Sequence, residues 1–251
     1  MPKLIDKEIF IFDVDNTLAE SYGPIYLENA KIISSLLETG KTVIFSTDRS
    51  KELIEDKVLK LMPCGEEYFA QIYLLPAGGA AMYKWEDNIW IEVYAERIDS
   101  LQKDKIIEVY KDALKAVDSN TDDDPYIPNK DGLMLSIGAL QPDATRDERA
   151  VWDPKHIKRQ KIAKMIQEEV SDIDVQIGGA ASINIVNNGV DKAYGLDKLF
   201  NILGLDKSKA LFIGDGIYPG GNDYCVLNTG IDVFKVESPE DFTEKFNMLA
   251  L

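Results

Sequence analysis

Two aspartates lie two positions apart at the end of a short apolar run near the start of the chain. They are Asp13 and Asp15, within the sequence FDVDNT at 12–17, and the residues at 9–12 are all apolar. Two carboxylates this close repel each other in a half-buried site unless a cation lies between them. A surface turn is the alternative, since Asp and Asn favour turns. It does not explain why an apolar strand leads directly into the acids.

A third carboxylate occurs at another predicted strand end, late in the chain. Asp215 follows an apolar run and a glycine, and Asn222 and Asp223 come shortly afterwards, behind two more glycines. If the three carboxylates meet, they form an oxygen-rich site suited to Mg²⁺. Considered alone, this segment is explained equally well as a glycine-rich connection without chemistry.

Two further polar residues could bind the oxygens of a phosphate. Thr47 follows a second apolar strand, and Lys192 begins a predicted helix after the sequence NGVD at 188–191. Considered singly, a threonine in this position is more often a helix N-cap, and a lysine is more often a solvated surface charge. Their combination with the carboxylates makes them candidates for holding a phosphate.

The elements that must position these residues alternate between strand and helix. The sequence predicts, in chain order, a strand at 9–14, a helix at 24–40, a strand at 42–45, a helix to 61 and a strand at 72–75. From 191 the same rhythm returns, with a helix to 203, a strand at 210–213, a helix after 222, a strand at 232–236 and a helix from 239. Because parallel strands end at one edge of a sheet, Asp13, Thr47 and Asp215 are expected to meet there.

The middle of the chain has a different pattern. It predicts a half-exposed strand at 88–95, a long helix at 98–117, an acidic loop at 120–125, strands at 133–137, 174–177 and 183–186, and a helix with an apolar face at Ile162 and Ile166. We therefore expect an α/β fold with a parallel core sheet, built from residues 1–82 and 189–251. An α+β insert at 83–188 interrupts it.

Composition and charge exclude several classes of protein. The net charge of -16 argues against a nucleic-acid or anionic-membrane partner, because no basic surplus exists to neutralise phosphates. A single histidine excludes a histidine-rich metal site, and Cys64 and Cys225 are too far apart in sequence to indicate a zinc site. The basic residues at 155–161 are interpreted as a solvated helix face. With no signal-peptide pattern and no apolar run long enough to span a membrane, the chain is expected to be cytoplasmic.

Taken together, the polar residues at the predicted strand ends resemble the four motifs of the haloacid dehalogenase superfamily. In chain order they are Asp13, Asp15 and Thr17, then Thr47, then Lys192, then Gly214 and Asp215 with Asn222 and Asp223. The resemblance implies a Rossmann-like core in which Asp13 attacks phosphorus to give an aspartyl-phosphate. It also implies that Asp15 acts as general acid and then as general base, and that Thr47 and Lys192 hold the transferring group.

The same resemblance implies a bound Mg²⁺ ion. Its ligands would be Asp13, the backbone carbonyl of Asp15, and Asp215, with Asn222 or Asp223 supporting them. The position of the insert corresponds to a C2-type cap, which in that superfamily closes over the active site and selects the substrate.

A closer resemblance, to eukaryotic-type phosphomannomutases of subfamily IIB, extends over nearly the whole chain. It is carried by DGLML at 131–135, DER at 147–149, IGG at 177–179, GVDK at 189–192 and PGGND at 219–223. It implies a C2B-type cap in which Arg149 and Ser182 hold the non-reacting part of a phosphosugar. Two further candidate substrate-binding residues are Asn184, which stands where the family has Asp, and Lys130, which stands where it has Arg. Related mutases pair through their caps, so a monomer or a cap-mediated homodimer is expected.

Three functions follow from these motifs. Tyr22 and the arginine-free segment 135–141 stand where the mutases carry arginines. A mutase must grip a phosphate in the cap and another in the core, so these differences favour a Mg²⁺-dependent sugar phosphatase, with a small phosphosugar as its partner. A phosphosugar mutase is the alternative. A non-catalytic protein that binds a phosphorylated ligand is a third hypothesis, which the complete set of motif residues disfavours.

Overall fold

The computed structural model describes residues 6–118, 126–127, 131–141, 143–178 and 181–249. Lys130 and the predicted acidic loop at 120–125 lie outside the described residues. The chain divides into two compact units. One unit, here the core, comprises Met1–Ala95 and Asp191–Leu251, and the other, the insert, comprises Glu96–Val190.

Ten strands and seven α-helices are present among the described residues. The strands are β1 (Ile9–Phe12), β2 (Thr42–Ser46), β3 (Ile72–Leu75), β4 (Ala81–Glu86), β5 (Ile89–Ala95), β6 (Leu135–Gly138), β7 (Ile173–Ile177), β8 (Ser182–Asn187), β9 (Ala210–Gly214) and β10 (Asp232–Lys235). The helices are α1 (Leu27–Glu38), α2 (Lys51–Lys57), α3 (Ser100–Val117), α4 (Arg146–Trp152), α5 (Ile157–Glu169), α6 (Lys192–Leu203) and α7 (Pro239–Leu249). None of these helices has both the length and the apolar composition needed to cross a membrane.

The core contains a seven-stranded sheet in the order β10-β9-β1-β2-β3-β4-β5. The first five strands of this order run parallel, and β4 and β5 continue the sheet as antiparallel strands. The sequence placed the start of the insert at residue 83, whereas the sheet extends to Ala95. The reason is that β4 and β5 form a hairpin that pairs directly with β3, so both strands belong to the core.

Strand β1 lies in the interior of the sheet and is buried on both faces, which explains its unbroken apolar sequence. On one face, Ile9 and Ile11 pack in a cluster with α6 residues that include Leu199. On the other face, the ring of Phe12 lies 5.7 Å from that of Phe242 in α7. The core is therefore a sheet covered by helices on both sides.

Strand register places the polar segments of the core at one edge. Phe12 at the end of β1 lies beside Phe45 of β2 and Ile213 of β9. The chain leaves all three strands in the same direction, so the residues that follow them meet. The expected convergence of Asp13, Thr47 and Asp215 follows from this register.

The insert has its own antiparallel sheet in the order β6-β8-β7. One face, with Ile137, Ile183 and Ile185, packs against apolar residues of α3 and α5. The basic segment 155–161 was predicted to be solvated, and for Arg159 this is wrong. Arg159 is buried, where it pairs with Asp153 at 3.1 Å and donates to the backbone carbonyl of Gly178 at 3.0 Å.

Candidate active site

Asp13 is the first residue after β1 and lies in a buried position. Its side chain is almost fully covered, and its backbone N–H donates to the carbonyl of Ile213 at 2.9 Å, which fixes the strand end. Lys192 Nζ donates to Asp13 Oδ1 at 2.6 Å and to Asp223 Oδ1 at 2.6 Å. The solvated alternative for Lys192 is wrong, since the residue is only 1% exposed. This lysine instead bridges two buried carboxylates.

The first turn of α6 brings Lys192 to the strand ends. Asp191 is the N-cap, and its side chain accepts from the backbone N–H of Tyr194 at 2.8 Å. One turn later Gly195 lies against Gly79, so closely that a Cβ on Gly195 would stand 2.6 Å from the Gly79 Cα. Two glycines therefore let α6 approach the turn after β3 and carry the lysine into the site.

Three carboxylates form a cluster that could hold a metal ion. Asp13, Asp215 and Asp223 each offer an oxygen within 4.8 Å of the others. Thr17 Oγ1 accepts from the Asp215 N–H at 3.0 Å, and the Gly216 N–H donates to Asp223 Oδ2 at 2.9 Å. A set of carboxylate oxygens fits a hard cation such as Mg²⁺. The sequence predicted that the carboxylates of Asp13, Asp15 and Asp215 would meet, whereas this cluster contains Asp223 in place of the Asp15 carboxylate.

The electrostatics of this cluster show a shortage of positive charge. Burial raises the pKa of Asp13 well above its ordinary value, although the adjacent Lys192 acts to lower it. Burial likewise raises the pKa of Asp48 and of Asp215. Burial acts to lower the pKa of Lys192, but the carboxylates of Asp13, Asp223 and Asp48 outweigh it and raise that pKa. Lys192 alone offsets part of the negative charge of several carboxylates, so the binding of an additional cation would be favourable.

Thr47 and Asn222 occupy different parts of the strand-end region. Thr47 is fully buried, and its Oγ1 accepts from the backbone N–H of Arg49 at 3.2 Å. The N-cap alternative for Thr47 is wrong, because Ser50 caps α2. Asn222 is exposed, and its amide donates to Asp48 Oδ2 at 3.3 Å, at the rim of the carboxylate cluster.

Two residues of this region were not anticipated. Asp48 and Arg49 follow Thr47 directly, and Arg49 binds both carboxylate oxygens of Asp15 at 2.9 and 3.2 Å. The sequence signal that could have identified them is their position immediately after a buried strand and next to Thr47, which was already a candidate. The motifs predicted that Asp15 acts as general acid and base, but they did not predict that another side chain would bind its carboxylate.

The candidate substrate residues of the insert fall into two groups. Ser182 and Asn184 lie on the β8 face that points away from the helices, and Ser136 Oγ donates to Asn184 Oδ1 at 2.9 Å. Arg149 in α4 donates to the backbone carbonyls of Ala144 at 3.1 Å and Gln141 at 2.8 Å. The fourth candidate, Lys130, lies outside the described residues.

Comparison with known proteins gives consistent results. The phosphomannomutase of Encephalitozoon cuniculi (strain GB-M1) is 28% identical over 96% of this chain and 92% of its own length. A protein of Buchnera aphidicola subsp. Schizaphis graminum with a provisional phosphatase name is 22% identical over 88% of this chain and 80% of its own. The N-terminally truncated, IMP-bound IMP-nucleotidase of Plasmodium falciparum shares the fold, with a TM-score of 0.70 at 16% identity over 98% of this chain and 68% of that chain.

A family match covers most of the sequence and both parts of the core. Residues 10–229 match the haloacid dehalogenase-like hydrolases, a range that contains every carboxylate of the cluster together with Thr47 and Lys192. The motif order, the mostly parallel sheet and the inserted antiparallel sheet agree with that match. The chain is thus an enzyme that belongs to the haloacid dehalogenase-like hydrolase family.

Proposed function

We propose that this enzyme is a Mg²⁺-dependent phosphohydrolase that acts on a phosphorylated sugar through an aspartyl-phosphate at Asp13. The observation that carries the proposal is the buried Asp13 carboxylate, 2.6 Å from Lys192 Nζ and next to Asp215 and Asp223. A buried carboxylate beside a fixed cation is oriented for attack, and the cation also stabilises the negative charge of a phosphoryl group.

The proposed reaction has two displacement steps at phosphorus. In the first, an Asp13 oxygen bonds to phosphorus, the bond to the ester oxygen breaks, and the leaving oxygen takes a proton from Asp15. In the second, a water oxygen bonds to the same phosphorus and gives its proton to Asp15, and the bond from Asp13 breaks. Inorganic phosphate leaves, and both aspartates return to their starting states.

The carboxylate cluster is proposed to hold Mg²⁺ during this reaction. Asp13, Asp215 and Asp223 would be the main ligands, with the Asp15 carbonyl and Asn222 as the other predicted members of the set. A bound ion there would offset the negative charge of the carboxylates and of the phosphate oxygens. Lys192 supplies the fixed cation of the same site.

The insert supports a sugar as the substrate class. On the face of its sheet that points away from the helices, Ser182 and Gln176 are half-buried and carry a hydroxyl and an amide, whereas Ser136 and Asn184 are buried and bond to each other. Such groups suit a ligand rich in hydroxyls. We propose that the insert acts as a C2B-type cap and that Arg149 helps to bind the substrate. We also propose a cytoplasmic enzyme, either monomeric or a homodimer paired through the insert.

A phosphosugar mutase is the second candidate, and the phosphomannomutase relatives favour it. A mutase keeps water away while the sugar turns round, so it needs cations that grip a phosphate in either orientation. Tyr22 is 59% exposed and Gln141 is half-buried at positions where those enzymes have arginines. Each lost charge-assisted hydrogen bond costs roughly 1.5–3 kcal/mol in holding the intermediate. Water should therefore usually reach the aspartyl-phosphate first.

A comparison of two products from one substrate tests this proposal. With a hexose 1-phosphate, we expect inorganic phosphate to appear faster than the 6-phosphate isomer, and added hexose 1,6-bisphosphate should not redirect the outcome. The Asp13→Asn variant is the control, expected to lose at least about three orders of magnitude of turnover while staying folded. Isomerisation faster than hydrolysis by about tenfold would establish the mutase instead.

A further inference from the structure

Arg49 is a charged side chain buried in the core at the end of β2. It is 1% exposed, and it is among the largest fully buried side chains of the described residues. Removing a guanidinium from water is costly unless its donors are paired. The partners of Arg49 therefore indicate why the fold keeps a charge in this position.

Those partners are Asp15 and the backbone of the segment that follows it. Nε donates to Asp15 Oδ2 at 3.2 Å, and Nη2 donates to Asp15 Oδ1 at 2.9 Å. The other bonds go to the carbonyls of Gly23 at 2.8 Å and Glu20 at 3.1 Å. The Tyr22 N–H adds a bond to Asp15 Oδ1 at 2.6 Å. The Asp15 carboxylate is thus held at both oxygens.

We propose that Arg49 is the positioning residue for Asp15. This inference rests on the proposed function, in which Asp15 gives a proton to the leaving oxygen and later takes one from water. A proton-transfer group must keep its oxygen within hydrogen-bond reach of the reacting atom, and a free aspartate side chain rotates about two bonds. The planar fork of an arginine fixes both the position and the plane of a carboxylate.

A role in the loop alone does not account for this arrangement. The bonds to the carbonyls of Gly23 and Glu20 tie the segment back onto β2, and the buried guanidinium also needs a carboxylate to neutralise it, which Glu20 of the same segment could have supplied. Arg49 instead makes its two-point contact with Asp15, the one side chain of the segment that is proposed to transfer a proton. Arg49 therefore acts on the reaction through Asp15.

The two reaction steps depend on Asp15 to different extents, and this gives a test. p-Nitrophenolate is a good leaving group and departs from p-nitrophenyl phosphate without a proton. Formation of the aspartyl-phosphate from this ester then needs Asp13 but not Asp15. Attack by water on the aspartyl-phosphate still needs Asp15 as the base, so loss of Asp15 positioning slows the second step selectively.

The experiment is rapid-mixing kinetics with p-nitrophenyl phosphate on Arg49→Met and Arg49→Lys. For Arg49→Met we expect a burst of about one p-nitrophenolate per site at a rate close to wild type, then a steady state slowed about 100-fold or more. Acid quenching should trap the accumulated aspartyl-phosphate. Arg49→Lys keeps the charge and loses the fork, and it should show the same pattern. If Arg49→Met does not fold, the same kinetic measurements on Arg49→Lys test the proposal.

Two further variants separate positioning from local destabilisation. In an Asp15→Asn background, Arg49→Met should change the steady-state rate by less than about twofold, because its partner is already disabled. Ser50→Ala removes the α2 cap next to Arg49 and should lower stability while leaving the burst and the steady state intact. A thermal unfolding midpoint is recorded for each variant.

The outcomes distinguish this inference from the proposed function. The positioning role would be overturned if Arg49→Met and Arg49→Lys slowed the burst and the steady state equally. It would also be overturned if Arg49→Met caused its full loss of rate again in the Asp15→Asn background. Failure of the wild type to form an aspartyl-phosphate, or full activity of Asp13→Asn, would overturn the proposed function itself.

Discussion

At the scale of single residues, the charge balance around Asp13 depends on one lysine. Lys192 contacts Asp13 and Asp223 at 2.6 Å, and all three side chains are buried. When one partner of such a group is removed, the remaining charges lie in a medium that solvates them poorly. Lys192 is therefore a structural residue of the core as well as a candidate for holding the phosphoryl group.

We predict that Lys192→Met destabilises the core strongly. Asp13 and Asp223 would be left buried without their common cation, so the free energy of unfolding near neutral pH should fall by about 3–5 kcal/mol. Chemical denaturation measures the change. Lys209→Met is the matched control, because Lys209 pairs with Glu8 on the surface at 3.1 Å and should leave the midpoint nearly unchanged. Similar small effects of both substitutions would contradict the prediction.

The sequence indicated the charged residues of the cluster but not their pairing. Asp13 and Asp215 were recognisable because each follows an apolar strand, and an acid directly after a buried strand has few structural explanations. Arg49 was missed because a basic residue near a helix start is usually solvated, and burial cannot be read from residue type. The same assumption failed for Arg159, which is 2% exposed in the insert.

At the scale of elements, the parallel strands were predicted best. Strands β1, β2, β3 and β9 are continuous apolar runs bounded by polar residues, a pattern produced by burial on both faces. The sequence missed α4 and β4. The predicted helix after Asn222 is only a short 3₁₀ segment at Tyr224–Asn228. Such short elements depend on tertiary contacts, which a periodic pattern does not report.

Helix α6 gives a prediction with an unusual sign. Replacing glycine by alanine inside a helix normally stabilises it by about 1 kcal/mol. At Gly195, however, the added methyl would stand 2.6 Å from the Cα of Gly79, and no side-chain rotation can relieve a contact with backbone. Gly195→Ala should therefore destabilise the protein by about 1–2 kcal/mol, and displacement of α6 should also lower turnover.

Thermal unfolding and steady-state kinetics measure both effects of Gly195→Ala. Asn201→Ala, at an exposed position of the same helix, is the control and should change neither quantity appreciably. A Gly195→Ala protein as stable as the wild type, with full turnover, would show that α6 tolerates a wider spacing from the turn at Gly79.

At the scale of the whole molecule, negative charge dominates, with a net charge of -16. The carboxylate cluster adds to this imbalance inside the core. Because burial raises the pKa of Asp13, Asp48 and Asp215, these three carboxylates bind protons more tightly in the folded metal-free protein than in the unfolded chain. The contribution of these three carboxyl groups to the free energy of unfolding is fully present below their ordinary pKa of 3.8. It is lost as the pH rises through their raised pKa values in the folded state.

We predict that Mg²⁺ stabilises the protein more at higher pH. The ion competes with protons for the same oxygens, so its effect on the unfolding midpoint, relative to EDTA, should be larger at about pH 7.5 than at about pH 5. At about 100 times its Kd, the ion contributes about 2.7 kcal/mol. Asp215→Asn should reduce the shift. A shift of equal size at both pH values would argue against binding at these carboxylates.

The place of β1 in the sheet has a consequence for synthesis of the protein on the ribosome. β1 pairs with β2 on one side and with β9 on the other, and β9 begins only at Ala210. While the intervening residues are being made, one side of the most apolar strand has no partner. An open apolar strand edge pairs readily with other chains. The nascent protein is consequently most prone to aggregate before its last strands emerge, and chaperone demand should end when they do.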